Sequence, residues 1–168
     1  YAIVGKPVTT EAQLVRYYQS KAVFPDYYKN HDAEVKTLED FVHVYYQEAV
    51  DENVRPEVAF AQMVIETGWL KYGGRVKIEQ YNFAGLGATD GTSNSGSFAS
   101  VRLGIRAHIQ HLKAYADKNA SESTLKHPLI DNRFKYLTKG SAEYVEWLGA
   151  QENPNGVGWA TSAGYGKN

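Results

Sequence analysis

The residue best suited to chemistry is Glu66, a lone carboxylic acid near the end of an apolar stretch with helical spacing. The side chains three or four positions away, which would share its helix face, are Gln62, Met63, Trp69 and Leu70. Because most of these side chains are apolar, they would remove water from the carboxyl group and raise its pKa. Gly68 places Glu66 near the helix C-terminus, where the negative end of the helix dipole also opposes ionisation. Such an acid can protonate a glycosidic oxygen at neutral pH, whereas a glutamate that points into solvent cannot.

Helix-start signals occur twice in the first third of the chain. Thr10 and Gln13 form a capping-box pair, which predicts a helix over about residues 10–21. Thr37 precedes an apolar series at helical spacing that only Glu48 interrupts, and this series predicts a second, amphipathic helix. The residues that join these two helices have the composition of a loop.

The helix that carries Glu66 is predicted to begin at Pro56, because a missing N–H costs nothing in a first turn. Apolar residues occur on all its sides, a pattern typical of a helix buried through the centre of a domain. A further helix over residues 100–118 has an apolar face that we expect to pack against the central helix. Ser141 is expected to cap a last helix, with Trp147 in the core.

Helical periodicity stops between about residues 74 and 100, where glycine, serine, threonine and asparagine dominate. Asp90 followed by Gly91 is a turn signal typical of a β-hairpin. We therefore predict a small β-hairpin or loop lobe beside the central helix.

The composition excludes several classes of function. Lysine plus arginine number 18 against 19 for aspartate plus glutamate, so nucleic acid is not an expected partner. The absence of cysteine removes disulfides, thiolate zinc sites and cysteine nucleophiles. His108 and His111 share a helix face without an evident third ligand, so we predict solvated surface histidines and expect neither a metal nor a cofactor. No apolar run reaches the length of a membrane span.

Four segments carry a resemblance to a known family, in the order ETGWLKYGG, KIEQYNFAGLGA, SFASVRLGIRAHIQHLKAYA and GWATSAGYG. Together they resemble the bacterial N-acetylglucosaminidase domains that cleave peptidoglycan, within the lysozyme-like superfamily. The likeness covers about residues 55–165 and is looser over residues 1–54. It implies a single α+β, mostly helical domain over residues 1–168, in which a central buried helix and a small β-hairpin or loop lobe form a cleft. A C-terminal helix usual in the family would follow residue 168. Because neither a methionine nor a signal peptide precedes Tyr1, we expect an excised or processed domain.

The resemblance implies that Glu66 is the catalytic acid and that Tyr165, in the closing motif, faces it. A tyrosine that only packs near the chain end is the alternative. The sequence does not decide between three possible identities of the second catalytic group. Asp90, the lone carboxylate of residues 81–100, is a candidate nucleophile or base for water, and Glu79 lies nearer to the acid in sequence. In the third route the 2-acetamido oxygen of N-acetylglucosamine attacks the anomeric carbon.

The same resemblance implies a substrate-contacting floor next to the acid, and its members are Asn82, Phe83, Gly85 and Gly87. A purely structural turn is the alternative, since glycines serve both purposes. Trp69 either stacks on a sugar ring or fills core beside the acid. Trp159, in a glycine-rich loop, is the other candidate for sugar stacking.

These implications favour an endo-β-N-acetylglucosaminidase that hydrolyses the β-1,4 bond after N-acetylglucosamine, with the glycan strands of peptidoglycan as its partner. The alternatives are a lytic transglycosylase, which leaves anhydro-muramic ends, and a non-catalytic glycan-binding module. The expected setting is extracellular or associated with a bacterial cell wall. We expect a monomer, alone or as part of a larger multidomain wall protein.

Overall fold

The computed structural model describes residues 1–87 and 96–168, and within them the chain is mostly helical, as predicted. The α-helices are α1 (Glu11–Gln19), α2 (Tyr27–His31), α3 (Leu38–Asp51), α4 (Pro56–Thr67) and α5 (Val101–Ala116). Single 3₁₀ turns span Ile78–Gln80, Glu122–Thr124, Phe134–Tyr136, Val145–Leu148 and Tyr165–Lys167. The described residues contain isolated β-bridges but no strand. No helix among them is long and apolar enough to cross a membrane.

The predicted β-hairpin is not confirmed. Residues 88–95, which include Asp90 and Gly91, lie outside the described residues. On either side of them, the Phe98 N–H donates to the Gln80 carbonyl at 2.8 Å. This bond brings the two flanking segments together.

The predicted starts of α1 and α3 are confirmed by reciprocal capping bonds. The Thr10 hydroxyl accepts from the Gln13 N–H at 3.2 Å, while the Thr10 N–H donates to the Gln13 side chain at 2.8 Å. Thr37 forms the same pair of bonds with Asp40, at 3.1 Å each. Local sequence therefore determines where both helices begin.

The expectation of a loop between α1 and α3 is wrong over the five residues of α2. No side-chain cap bond starts this helix, so it carries no local signal. Tyr28 is wholly buried, with its ring centroid 6.0 Å from that of Phe41 and 6.1 Å from that of Phe83. Tertiary packing of an aromatic side chain accordingly stabilises α2.

Helix α4 begins at Pro56, as predicted, and ends at Gly68, whose left-handed φ of 58° closes the last turn. It packs against both α3 and α5, while α3 packs against α1, α4 and α5. The expectation that α4 is buried on all sides is wrong, because Ile65 keeps 39% of its surface exposed. That open face borders a cavity of about 260 Å³, together with Gln62 and Tyr165.

A buried ion cluster fixes α5 against α3. The Glu48 carboxylate accepts from Arg102 Nη1 at 2.8 Å and from Arg106 Nε at 2.7 Å. These cations satisfy an acid that is 1% exposed and that interrupts the apolar series of α3.

The same packing buries His108 and His111, so the prediction of surface histidines is wrong. Both faces of α5 are covered, and an i, i+3 spacing alone cannot reveal that.

The predicted helix after Ser141 is also wrong. The segment forms only the 3₁₀ turn Val145–Leu148, which follows Tyr144 rather than Ser141. The Ser141 carbonyl accepts from Asn153 Nδ2 at 2.7 Å, which ties this segment to the following loop. Trp147 is half-buried against the core, edge-on to Tyr144 at a centroid distance of 4.7 Å.

Candidate active site

Glu66 lies in the last turn of α4, two residues before the glycine that ends the helix. Its side chain borders a cavity of about 210 Å³ that Tyr72, Gly74 and Arg75 also line. Arg75 is exposed, and within the described part of the chain it forms no ion pair. The cavity therefore combines a half-buried acid with an accessible cation.

The electrostatic environment of Glu66 favours its protonated form. Burial raises the pKa of the Glu66 carboxyl above its ordinary value, and a hydrogen bond from Tyr165 opposes that rise. Because the desolvation effect is the larger, the acid stays protonated to a higher pH than an exposed glutamate does. This is the direction predicted from the apolar neighbours of Glu66 in sequence.

Tyr165 reaches Glu66 from the far end of the chain. Gly164, with a left-handed φ of 72°, turns the backbone into the 3₁₀ turn that begins at Tyr165. The Tyr165 hydroxyl donates to Glu66 Oε1 at 2.6 Å and accepts from Gln62 Nε2 at 3.1 Å. Burial and the nearby Glu66 carboxyl raise the pKa of Tyr165, so its hydroxyl keeps its proton. The fold thus pairs the two side chains that the sequence placed 99 residues apart.

The segment 82–87 is a tight turn organised by one side chain. Asn82 Oδ1 accepts from the Leu86 N–H at 3.0 Å, and Asn82 Nδ2 donates to the Leu86 carbonyl at 2.8 Å. Asn82 is 1% exposed, so its polar atoms stabilise the turn and are not presented to a sugar. Gly85 and Gly87 each have a φ of 68°, a left-handed conformation that glycine adopts without strain.

Phe83 is a core residue, which disagrees with the implied sugar contact. It has no exposed surface, and its ring lies 5.3 Å from that of Phe41 and 6.2 Å from that of Tyr45. A side chain enclosed in this way cannot touch a ligand in the cleft. Sequence alone gave no means of deciding which residues of the turn point inward.

The two tryptophan candidates lie on different sides of the fold. Trp69 packs on α1, with its ring 5.2 Å from Tyr17 and 5.8 Å from Tyr18. Trp159 packs on α5, with its ring 4.7 Å from that of His111. Both are half-buried, so sugar stacking by either one stays a prediction.

A second catalytic carboxylate is not identified among the described residues. Asp90 lies outside them, and Glu79 is exposed on the turn Ile78–Gln80. No carboxylate of the described segments contributes to the raised pKa of Glu66. These segments also hold no group of three or more histidine, aspartate or glutamate side chains arranged for a metal ion.

Two residues at the site were missed as candidates from the sequence. Gln62 had a signal, because it is a polar residue one helical turn before Glu66 in an otherwise apolar helix. Arg75 had no signal in the sequence, because it follows the glycine pair after α4 and its place in the cavity depends on how the backbone turns there.

The comparison with known families agrees with this geometry. Residues 42–168 match the glucosaminidase family, described as mannosyl-glycoprotein endo-beta-N-acetylglucosaminidase. The chain belongs to the glucosaminidase family. The matched range contains the whole of the acid helix, the turn at 82–87 and Tyr165, which confirms the resemblance seen in the sequence motifs.

The glucosaminidase chain is also similar to a protein of another bacterium. An uncharacterized protein of Borreliella burgdorferi is 38% identical over 143 residues, which cover 85% of this chain and 64% of that protein. The chain therefore spans less than two thirds of the relative's length. No solved structure matches it.

Proposed function

We propose that this glucosaminidase chain is an endo-β-N-acetylglucosaminidase that hydrolyses the β-1,4 bond on the reducing side of N-acetylglucosamine in peptidoglycan. Glu66 is the general acid that protonates the leaving oxygen. The observation that carries the proposal is the Glu66–Tyr165 pair beside an open cavity. Family membership supplies the glycan-hydrolysing context.

The two oxygens of the Glu66 carboxyl have different surroundings. Oε1 accepts the short bond from Tyr165, whereas Oε2 has no hydrogen-bonding partner within residues 1–87 and 96–168. In the transfer the Oε2–H bond breaks and a new O–H bond forms on the glycosidic oxygen, while the hydrogen bond from Tyr165 to Oε1 stays intact. The raised pKa of Glu66 extends to higher pH the range over which the carboxyl holds that proton until the sugar arrives.

The acetamido route fits this site best. A retaining reaction needs either a protein nucleophile about 5 Å from the acid or an internal one supplied by the substrate. Since no carboxylate among the described residues shifts the pKa of Glu66, we assign the role of nucleophile to the 2-acetamido oxygen of the substrate. Asp90 is retained as the alternative, either as the nucleophile or as the base that activates water.

Arg75 favours an anionic glycan over a neutral one. It is an exposed guanidinium in the wall of the Glu66 cavity. Peptidoglycan carries carboxylates on its lactyl-linked peptides, whereas chitin carries none, and guanidinium pairs well with carboxylate. We therefore propose that the protein acts at a bacterial wall, outside the cytoplasmic membrane, as a monomeric domain or within a longer wall protein.

Product analysis tests the reaction. Purified peptidoglycan is digested, reduced with borohydride and analysed by mass spectrometry. Hydrolysis predicts reduced N-acetylglucosamine ends, which the Glu66→Gln variant should not produce. Anhydro-muramic ends would instead establish a lytic transglycosylase, and binding to peptidoglycan without any new ends would establish a non-catalytic module.

A further inference from the structure

A continuous chain of buried hydrogen bonds runs from Glu66 into the core. Beyond Tyr165 and Gln62, the Gln62 Oε1 atom lies 2.8 Å from His108 Nε2. His108 Nδ1 lies 2.9 Å from the Tyr45 hydroxyl. The chain thus joins α4, α5 and α3, and its inner members, His108 and Tyr45, have no exposed surface.

We infer that His108 and Gln62 are positioning residues that set the direction in which the Tyr165 hydroxyl donates, and so reserve Glu66 Oε2 for the transferable proton. This inference rests on the proposed function. It concerns two buried residues, since His108 has no exposed surface and Gln62 is 4% exposed.

The direction of donation along this series of hydrogen bonds is set at its inner end, between Tyr45 and His108. Tyr45 is wholly buried, and among the described residues its hydroxyl has a single hydrogen-bonding partner, His108 Nδ1. Since an O–H buried without an acceptor is costly, the Tyr45 hydroxyl must donate to Nδ1. Nδ1 therefore carries a lone pair and no proton.

The neutral state of His108 then places its proton on the other nitrogen. Burial, with a smaller contribution from His111, lowers the pKa of His108 to about 3. A neutral imidazole holds one proton, so that proton is on Nε2 and is donated to Gln62 Oε1. With its oxygen fixed in this way, the Gln62 amide can only present its N–H groups to Tyr165.

The last two steps transmit this polarity to the acid. Because the Tyr165 oxygen accepts from Gln62 Nε2, the Tyr165 proton points elsewhere, and Glu66 Oε1 lies 2.6 Å away. Every donor in the chain therefore points toward Glu66. If the Gln62 amide were reversed, the Tyr165 hydroxyl would donate to Gln62, and the acid proton would be held on Oε1 by the Tyr165 oxygen.

This series of hydrogen bonds also affects the pKa of the Glu66 carboxyl. The groups that face the carboxyl are Tyr165, from the C-terminal turn, and Tyr72 and Arg75, which share its cavity. Donation from Tyr165 lowers the pKa that burial raises. Weakening that donation should consequently raise the pKa of Glu66 and move the alkaline limb of the pH–rate profile to higher pH.

Two substitutions of similar size separate positioning from packing. His108→Gln keeps an acceptor for Tyr45 and an N–H donor for Gln62, whereas His108→Leu keeps neither. On peptidoglycan we expect His108→Leu to lower kcat about tenfold, the effect of one net hydrogen bond, with KM changed less than about twofold. The alkaline limb of the pH–rate profile of His108→Leu should move to higher pH. In His108→Gln, kcat and the position of this limb should both be closer to those of the wild type.

A matched control is Tyr46→Phe. Tyr46 follows Tyr45 on α3, and its hydroxyl donates to the Thr9 carbonyl at 2.9 Å, outside the chain. This variant loses one comparable bond and should keep the wild-type pH profile. The inference would be overturned if His108→Leu kept the wild-type kcat and the wild-type alkaline limb. It would also be overturned if His108→Leu and His108→Gln lost kcat to the same extent.

A ¹⁵N NMR measurement on the wild-type protein tests the direction of these hydrogen bonds with neither a substrate nor a variant. The ¹⁵N shifts of His108 should show a neutral ring protonated on Nε2, and an Nδ1-protonated ring would overturn the inference. Carbon-13 titration should give a higher Glu66 pKa in His108→Leu than in the wild type. If the wild type cleaves no glycan, the proposed function fails, yet these two measurements still decide the polarity of the chain.

Discussion

A Cβ atom placed on Gly85 would lie 3.3 Å from Oε2 of Glu66. The turn at 82–87 thus approaches the acid about as closely as a glycine permits, and it does so beside the oxygen that has no partner in the described structure. Because Gly85 has no side chain, it does not crowd that oxygen. Glycine at this position therefore suits both the close approach to Glu66 and the left-handed backbone conformation.

The Gly85→Ala variant should lose activity beyond what backbone strain explains. The left-handed conformation costs an alanine about 1–2 kcal/mol of stability, and the added methyl group would press on Oε2. We expect at least a tenfold loss of kcat/KM, measured as release of reducing ends, because small displacements of a catalytic group are costly. Gly156→Ala is the control, since its φ is 69° and its Cβ would meet nothing within 4 Å. Equal activity of the two variants would contradict this role of Gly85.

Replacement of the acid should separate activity from stability. Glu66→Gln keeps an acceptor for the Tyr165 hydroxyl but has no proton to transfer, so activity should fall about 10²–10⁴-fold. The folded-state pKa of Glu66 lies above its ordinary value, so the stability that Glu66 contributes is lost as pH rises through that pKa. Thermal unfolding should show the stability of Glu66→Gln relative to the wild type increasing as pH rises from the ordinary glutamate pKa through the raised pKa, and constant above it. Marked destabilisation of the variant would argue that Glu66 is a structural carboxylate.

The buried neutral state of His108 predicts acid sensitivity. Its pKa is lowered from 6.5 to about 3, so below pH 6.5 the unfolded chain binds a proton that the folded protein excludes. The free energy of unfolding should therefore fall as pH drops through this window, by up to about 1.4 kcal/mol per pH unit from this group. His108→Gln should show a shallower decline in urea titrations at several pH values. Identical slopes would mean that His108 is protonated in the folded state.

Arg75 should contribute to activity only on charged substrates. We expect Arg75→Gln to lower kcat/KM on peptidoglycan about tenfold, the effect of one lost charge-assisted hydrogen bond. On a neutral chitooligosaccharide the change should stay within about twofold. Lys71→Gln removes the same charge from an exposed residue outside the cavity and should leave both rates unaltered. A similar loss on both substrates would assign Arg75 a structural role instead.

The sequence predicted the features that depend on neighbouring residues. The starts of α1, α3 and α4 follow from Thr10, Thr37 and Pro56, because capping bonds and proline geometry act within a single helical turn. The raised pKa of Glu66 was predictable for the same reason, since its apolar neighbours lie three or four positions away. The family motifs added Tyr165, which no local rule connects to Glu66.

The tertiary structure decided which faces of these elements are buried. His108 and His111 have the spacing of a surface pair, yet α3 and α4 cover His108, and Trp159 covers His111. Phe83 belongs to a turn that resembles a substrate floor, but the aromatic core encloses its ring. A helical period gives the relative placement of side chains and does not say which helices or loops will cover them.

The sequence by itself predicted Glu66 as the acid, and it determined the start of the helix that carries this residue and the family of the chain. Only the tertiary structure decided that Gln62, His108 and Tyr45 extend from Tyr165 as one hydrogen-bonded chain. Its bonds join residues 46 and 63 positions apart, and one more spans 103. Contacts over such separations are formed when helices pack and chain ends return to the core, so no local pattern encodes them.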